Sequence, residues 1–316
     1  MKLIDVHKAF ATDEQCLSYL ENKRWPNGVR CPICGHAEVS KITRKSKTKN
    51  KRAQIYQCLE KTCKQQFSVT TGTIFHDSHL PLWKWFTAIA LIVDARKGMS
   101  ANQLKRHLGC NYRTAWYLSH RIREAMTEPD AEKLTGTVEI DETYIGGRQR
   151  GYRGKLKNKD VVMGLRQRGG GLRLVHVQSN SAEHLGEQVK KHVAPDVKQV
   201  ITDEWPAYIP AFIDAGIKGG QHKTIRHRDK IYVKGEVHTN TVESAFSLFK
   251  RGIVGQYHKV SIKHLQRYLH EFSFRFNRRE DADLFEQTVN RMATVKHLPY
   301  TKLTEEHAFT PFVRPS

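Results

Sequence analysis

Three acidic residues stand where a fold could bring them together. Asp141 closes the run Val138-Glu139-Ile140-Asp141, Asp203 closes Val200-Ile201-Thr202-Asp203, and Glu243 lies in residues 238–252, HTNTVESAFSLFKRG. Both β-branched runs break after the aspartate, so each acid is expected at a strand terminus. On a helix turning about 100° per residue, Asn240, Glu243, Ser247 and Lys250 share an arc of roughly 80°. Val242, Ala245, Phe246, Phe249 and Ile253 fill the adjacent arc. Such a helix docks its apolar side on a core and presents an amide, a carboxylate and an ammonium together. Carboxylates converging from two strands and a helix would hold hard divalent cations, Mg²⁺ or Mn²⁺, through oxygen.

A second set of ligands is separate in sequence. Cys31-Pro-Ile-Cys34-Gly35 and, 23 residues later, Cys58-Leu-Glu-Lys-Thr-Cys63 place four thiols on two turns, a spacing that suits tetrahedral, structural Zn²⁺. A polar segment of about 50 residues has little else to hold it together. Cys16 and Cys110 fall outside the pattern, and Cys16 is expected to pack within a helix.

The elements that must position these groups follow from periodicity and capping. Thr12 with Gln15 forms a capping-box pattern, and Pro26-Asn27-Gly28 stops the helix it opens. Residues 41–52 carry seven Lys/Arg, read as the loop of a β-ribbon hairpin that meets phosphate. Leu82, Trp85, Phe86, Ile89, Ala90 and Val93 mark a buried helix face. Ser100 then opens a helix, Leu108-Gly109-Cys110 turns it, and Asn111 caps a longer one. This is a helix-turn-helix pattern with Tyr112, Arg113 and Thr114 on the first turn of the recognition helix and Arg121 and Arg123 further along, all read as DNA contacts. Beyond a Pro- and Gly-containing boundary, residues 128–136, hairpin-like strands give way to strand–helix alternation, a mixed sheet with helices packed on it. Residues 146–159 hold six Arg/Lys, Arg148 and Arg150 among them, between glycines that let the backbone approach a phosphate. Residues 264–277 form another amphipathic helix, and the chain then turns polar and Pro-containing, with no function assigned.

Lys plus Arg is 53 against Asp plus Glu 32, a net charge of +21, which points to a polyanionic partner, nucleic acid above all. No lipidation motif, signal core or apolar run of about 20 residues directs the chain to a membrane. A reducing, cytoplasmic setting follows, in which cysteines serve as metal ligands or buried thiols.

CPICG with YQC…C…FSVTTGTIF, then VEIDETYIGG, ITDEWPAY and HTNTVES-F-LFKRG, resemble in order, over roughly residues 15–278, the bacterial insertion-sequence transposases that join an N-terminal zinc ribbon to an RNase-H-like DDE catalytic domain. The resemblance implies a multidomain α+β chain: an N-terminal helix (1–28), a zinc ribbon (29–78), a helix-turn-helix region (79–128), an RNase-H-like mixed α/β domain (137–278) and a C-terminal tail (279–316). It implies that Asp141, Asp203 and a third residue on the 238–252 helix hold two metal ions about 3.5–4 Å apart. It also implies nicking of transposon ends, joining of the freed 3′-hydroxyls to target DNA, a homo-oligomer on DNA, and work at the nucleoid. Lys250, seven residues after Glu243, matches the family's phosphate-binding position. The third ligand is read as Glu243 because three carboxylates neutralise more of the metals' charge, with Asn240 as the alternative. Glu139, Glu142 and Glu204 are read as bystanders and His238 as solvent-facing. A DNA-binding protein without catalysis, and a nuclease that cuts without joining, are the competing functions.

Overall fold

The computed structural model describes residues 1–42, 54–146, 159–225, 233 and 235–305. Arg148, Arg150 and nearly all of the basic run at 41–52 lie outside the described residues. The chain divides into two compact units: Met1–Met126 with Glu280–Ser316, and Thr127–Arg279.

The first unit opens with helices α1 (Leu3–Ala9) and α2 (Asp13–Arg24). Thr12 caps α2 in a reciprocal box with Gln15, and Cys16, Leu17 and Leu20 are buried along it. Strands β1 (Val39–Ile42), β2 (Ile55–Cys58) and β3 (Gln66–Ser68) form an antiparallel sheet in that order, with Tyr56, Phe67 and the cysteines Cys31 and Cys58 in its small core. Helix α3 (Leu82–Asp94) follows and buries Trp85, Phe86 and Ile89. Next come α4 (Ala101–Leu108) and α5 (Tyr112–Ala125). Ser100 and Asn111 cap these two, and Gly109 ends α4 in the left-handed conformation, where a side chain would be strained.

The second unit is a five-stranded mixed sheet between two layers of helix. Its strands are β4 (Thr137–Ile145), β5 (Asp160–Gln167), β6 (Leu172–Val177), β7 (Gln199–Thr202) and β8 (His222–Thr224). They stand in the order β6-β5-β4-β7-β8, with β4, β5 and β6 antiparallel and β4, β7 and β8 parallel. Helices α6 (Ala182–His192) and α7 (Tyr208–Asp214) pack on one face with Val138, Ile140, Met163, Leu165 and Val200. Helices α8 (Asn240–Gly252) and α9 (Ile262–Asn277) cover the other with Val162, Leu172 and Leu174. The alternation of the strands sorts these residues: even positions of β4 face α6 and α7, and odd positions face α8.

Residues beyond 279 do more than trail. Helix α10 (Leu284–Thr294) buries Phe285, Val289 and Met292 within the first unit, and the Ile74 amide donates to the Met292 carbonyl at 3.3 Å. A short α11 (Tyr300–Thr304) ends the described chain. Among the described residues no helix is long and apolar enough to cross a membrane.

Gly164 of β5 lets α8 sit close to the sheet. A Cβ there would lie 2.6 Å from Phe246 Cζ and 2.8 Å from Val242 Cγ2, both side chains buried in the core and unable to give way. Gly164→Ala is expected to cost about 1–3 kcal/mol in denaturant unfolding of the second unit; an unchanged midpoint would show that α8 is not seated on the glycine.

Candidate active site

Asp141 and Asp203 meet because of strand register. The parallel pairing of β4 with β7 ends at Glu139↔Ile201, and continuing it by two residues sets Asp141 level with Asp203 on the same face, one strand spacing apart. Asp203 follows the last residue of β7, as expected for a strand end. Asp141 does not end its strand: β4 runs on through Thr143-Tyr144-Ile145, held by β5 up to the pair Ile145↔Asp160. The pairing that stops short of Asp141 is the one with β7, while the one with β5 continues past it.

Helix α8 brings the third acid. It buries Val242, Ala245, Phe246 and Phe249 and leaves Asn240 and Lys250 exposed. Burial raises the Asp141 carboxyl to about 7, and the negative charges of Asp203 and Glu243 add to the rise while the Glu142 amide and Lys250 oppose it. Four groups from β4, the end of β7 and both ends of one helix face therefore act on one point. Each carboxylate is also held. The Glu142 amide donates to Asp141 Oδ1 at 2.8 Å, the Trp205 amide to Asp203 Oδ1 at 3.0 Å, and the Thr239 hydroxyl to Glu243 Oε1 at 2.7 Å.

Neighbouring acids separate by face. Glu142 turns to the α7 side, where the Tyr208 hydroxyl donates to it and burial raises its carboxyl to about 7. Glu139 lies on the α8 side and is fully buried. His238 is not solvent-facing: its Nδ1 lies 3.3 Å from Glu139 Oε1 and accepts from Arg168 Nη2 at 3.0 Å.

The four sulfurs of Cys31, Cys34, Cys58 and Cys63 lie within 4.8 Å of one another, and among the described residues no other group of three or more candidate ligands does so. Cys31 to Cys63 is 3.8 Å and Cys34 to Cys58 is 3.6 Å, against edges of about 3.8 Å for a tetrahedron with Zn–S near 2.3 Å. Burial holds Cys58 at about 12, whereas at Cys31 the opposing effect of burial is outweighed by the Cys34 and Ile33 amides, giving about 7. A cation is needed to ionise the whole quartet. Cys16 is buried in α2 and Cys110 is half-buried, and neither joins it. Asp141, Asp203 and Glu243 form no such tight group, although the charges of Asp203 and Glu243 both act on Asp141.

On α5, Tyr112 and Arg113 are exposed and Thr114 half-buried, the Arg113 guanidinium lying 4.5 Å from the Tyr300 ring centroid. Arg121 and Arg123 do not face outward; both are about 2% exposed. Arg121 donates to the Ile74 and His76 carbonyls and packs on Trp85 and Tyr117, so it ties α5 to other parts of the unit, and Arg123 donates to Ser119 on its own helix.

Residues 133–277 match the ISXO2-like transposase domain and residues 11–66 the transposase zinc-ribbon domain. Over 284 residues, 85% of this chain and 92% of the relative, the sequence is 31% identical to an uncharacterized protein in transposable element ISH50 of Halobacterium salinarum. The chain belongs to the ISXO2-like transposase family. The cysteine quartet is thus that family's zinc ribbon, and the mixed sheet carrying Asp141 and Asp203 its RNase-H-like transposase domain.

Because folding lifts Asp141 and Glu142 from the ordinary carboxylate range to about 7, the native state binds their protons more tightly than the unfolded chain. Their contribution is present at acid pH and lost as pH rises through about 7. In Mg²⁺-free buffer the second unit should therefore melt at a lower temperature at pH 8 than at pH 5. Added Mg²⁺ should restore the pH 8 value and Asp141→Asn should flatten the dependence. A melting temperature that rises across this interval would contradict the convergence of charge.

Proposed function

We propose that the chain cuts the ends of its insertion sequence and joins the freed 3′-hydroxyls to target DNA in a reaction that depends on Mg²⁺ or Mn²⁺. Convergence of the Asp203 and Glu243 charges, from the end of β7 and from α8, on Asp141 of β4, opposed by Lys250, carries this reading. Asp141, Asp203 and Glu243 would hold two divalent ions, which supply charge to the attacking and leaving oxygens of an in-line phosphoryl transfer. Lys250, exposed at the far end of the same helix face, binds a DNA phosphate and holds the scissile strand against the carboxylates. Glu243 is favoured over Asn240 because its charge reaches Asp141 and its side chain is oriented by Thr239; Asn240 lies one turn earlier and orients the substrate.

DNA recognition is assigned to the first turn of α5, with Tyr112, Arg113 and Thr114 at base edges and phosphates. The basic segments, including Arg148 and Arg150, add contacts that make affinity salt-dependent. Two transposon ends require two such sites, so a homo-oligomer assembled on DNA at the nucleoid is the working form.

Labelled end oligonucleotides incubated with target plasmid test the proposal. Wild type should cut and join with Mg²⁺ or Mn²⁺. Glu243→Gln should lose more than about 100-fold, beyond the usual loss for groups one shell removed from a metal, while Asn240→Ala loses about tenfold or less. An inactive Asn240→Ala beside an active Glu243→Gln would make Asn240 the ligand. Nicks without joining would make the protein a nuclease, and no cleavage at all a binding protein.

A further inference from the structure

Helix α8 carries Glu243, yet the side chain of its cap residue does not cap its N-terminus. Thr239 makes no side-chain capping bond; its buried hydroxyl donates to Glu243 instead. The first-turn amides, which every helix leaves without partners inside itself, are met from another element. Glu139 Oε2, on β4, accepts from the amides of Thr241 at 2.9 Å and Val242 at 3.1 Å and from the Thr241 hydroxyl at 2.7 Å. We propose that Glu139 is the positioning residue of the catalytic centre: a carboxylate on the strand of Asp141 caps α8 and so sets where Glu243 stands relative to Asp141 and Asp203.

The inference rests on the metal-site reading above and goes beyond it. A carboxylate with no exposed surface is costly to keep unless it is paired and fully hydrogen-bonded, and Glu139 is both. Its Oε1 accepts from Arg168 Nε at 2.7 Å and faces His238, while Oε2 takes the three α8 donors. A negative group at a helix N-terminus is also favoured by the helix dipole. Arg168 ties the chain entering α8 as well, donating to the Glu236 carbonyl at 2.7 Å and the His238 carbonyl at 3.1 Å.

The placement matters because apolar packing does not fix it. Val242, Phe246 and Phe249 hold α8 against the sheet, but apolar contact is non-directional and tolerates sliding and rotation of the helix. Hydrogen bonds from one carboxylate to two successive amides do not. Glu139 and Asp141 are two apart on β4, hence on one face, and the amides that Glu139 holds are those of the two residues immediately before Glu243. One strand face thus supplies both a metal ligand and the peg that sets the distance to the next ligand, with a lever arm of one residue.

Glu139→Gln is nearly isosteric and sets an NH₂ group or a weaker acceptor against these donors. Thr241→Val keeps the shape and removes one donor, and it decides the matter alone if Glu139→Gln does not fold. Three quantities are read in the full chain: exchange of the Thr241 and Val242 amide hydrogens, the Mg²⁺ concentration for half-maximal end cleavage, and affinity for end DNA. Glu139→Gln should speed exchange and raise the Mg²⁺ midpoint, each by about tenfold or more, with cleavage at saturating Mg²⁺ reduced about 10–100-fold and DNA affinity unchanged. Thr241→Val should move the same two quantities less. Faster exchange with an unchanged Mg²⁺ midpoint and rate, or unchanged exchange, would overturn the inference. Asp141→Asn is the control: if it cleaves normally the metal-site reading fails, and if it is inactive while Glu139→Gln behaves as wild type, only the positioning role fails.

Discussion

Like charges must be held together against their own repulsion, and in the transposase domain the sheet supplies the restraint. Asp141 is locked in the β4–β5 ladder opposite Gly164, and Asp203 follows directly on β7, whose parallel register with β4 sets the two level. Burial then raises the cost of ionising Asp141, and Asp203 and Glu243 raise it further. A carboxyl poised near neutrality stores unfavourable charge that a divalent ion or a protonated state relieves. Lys250 offsets part of it, yet it stands exposed, where it can exchange that role for a contact with phosphate.

Two features let the helix come close enough to take part. Gly164 pairs with Asp141 across β4 and β5, and its missing side chain is the space into which Val242 and Phe246 fit. Glu139, on the same face, engages the first turn. The glycine controls how near the helix lies and the glutamate controls where along the sheet it starts, two coordinates that apolar contact alone leaves soft.

Much of this was legible locally. Thr12 with Gln15, Ser100 and Asn111 cap the helices that their residue types announce, because capping is a matter of a few adjacent residues. The two halves of α8 were readable because helical periodicity is also local. What escaped depends on distant partners. Glu139 looks like a bystander in Val138-Glu139-Ile140-Asp141 until α8, a hundred residues on, is seen to need a cap. Arg121 and Arg123 have the composition of a DNA-reading helix, but carbonyls at Ile74 and His76 and the ring of Trp85 claim Arg121 for the interior. The polar sequence after residue 279 conceals the buried stripe Phe285, Val289 and Met292, whose partners lie near the other end of the chain. Asp141 in mid-strand was missed for a related reason: its pairing with β5 continues past it while the pairing with β7 stops short, and a single strand's pattern does not record where its neighbours pair.

The account rests on Asp141, Asp203 and Glu243 sharing divalent ions. Anomalous scattering from Mn²⁺ in crystals of the protein with end DNA tests this most directly. Two peaks bounded by oxygens of Asp141, Asp203 and Glu243, separated by about 3.5–4 Å, are the expected result. Manganese held by Asn240 in place of Glu243, or density away from Asp141 altogether, would contradict it.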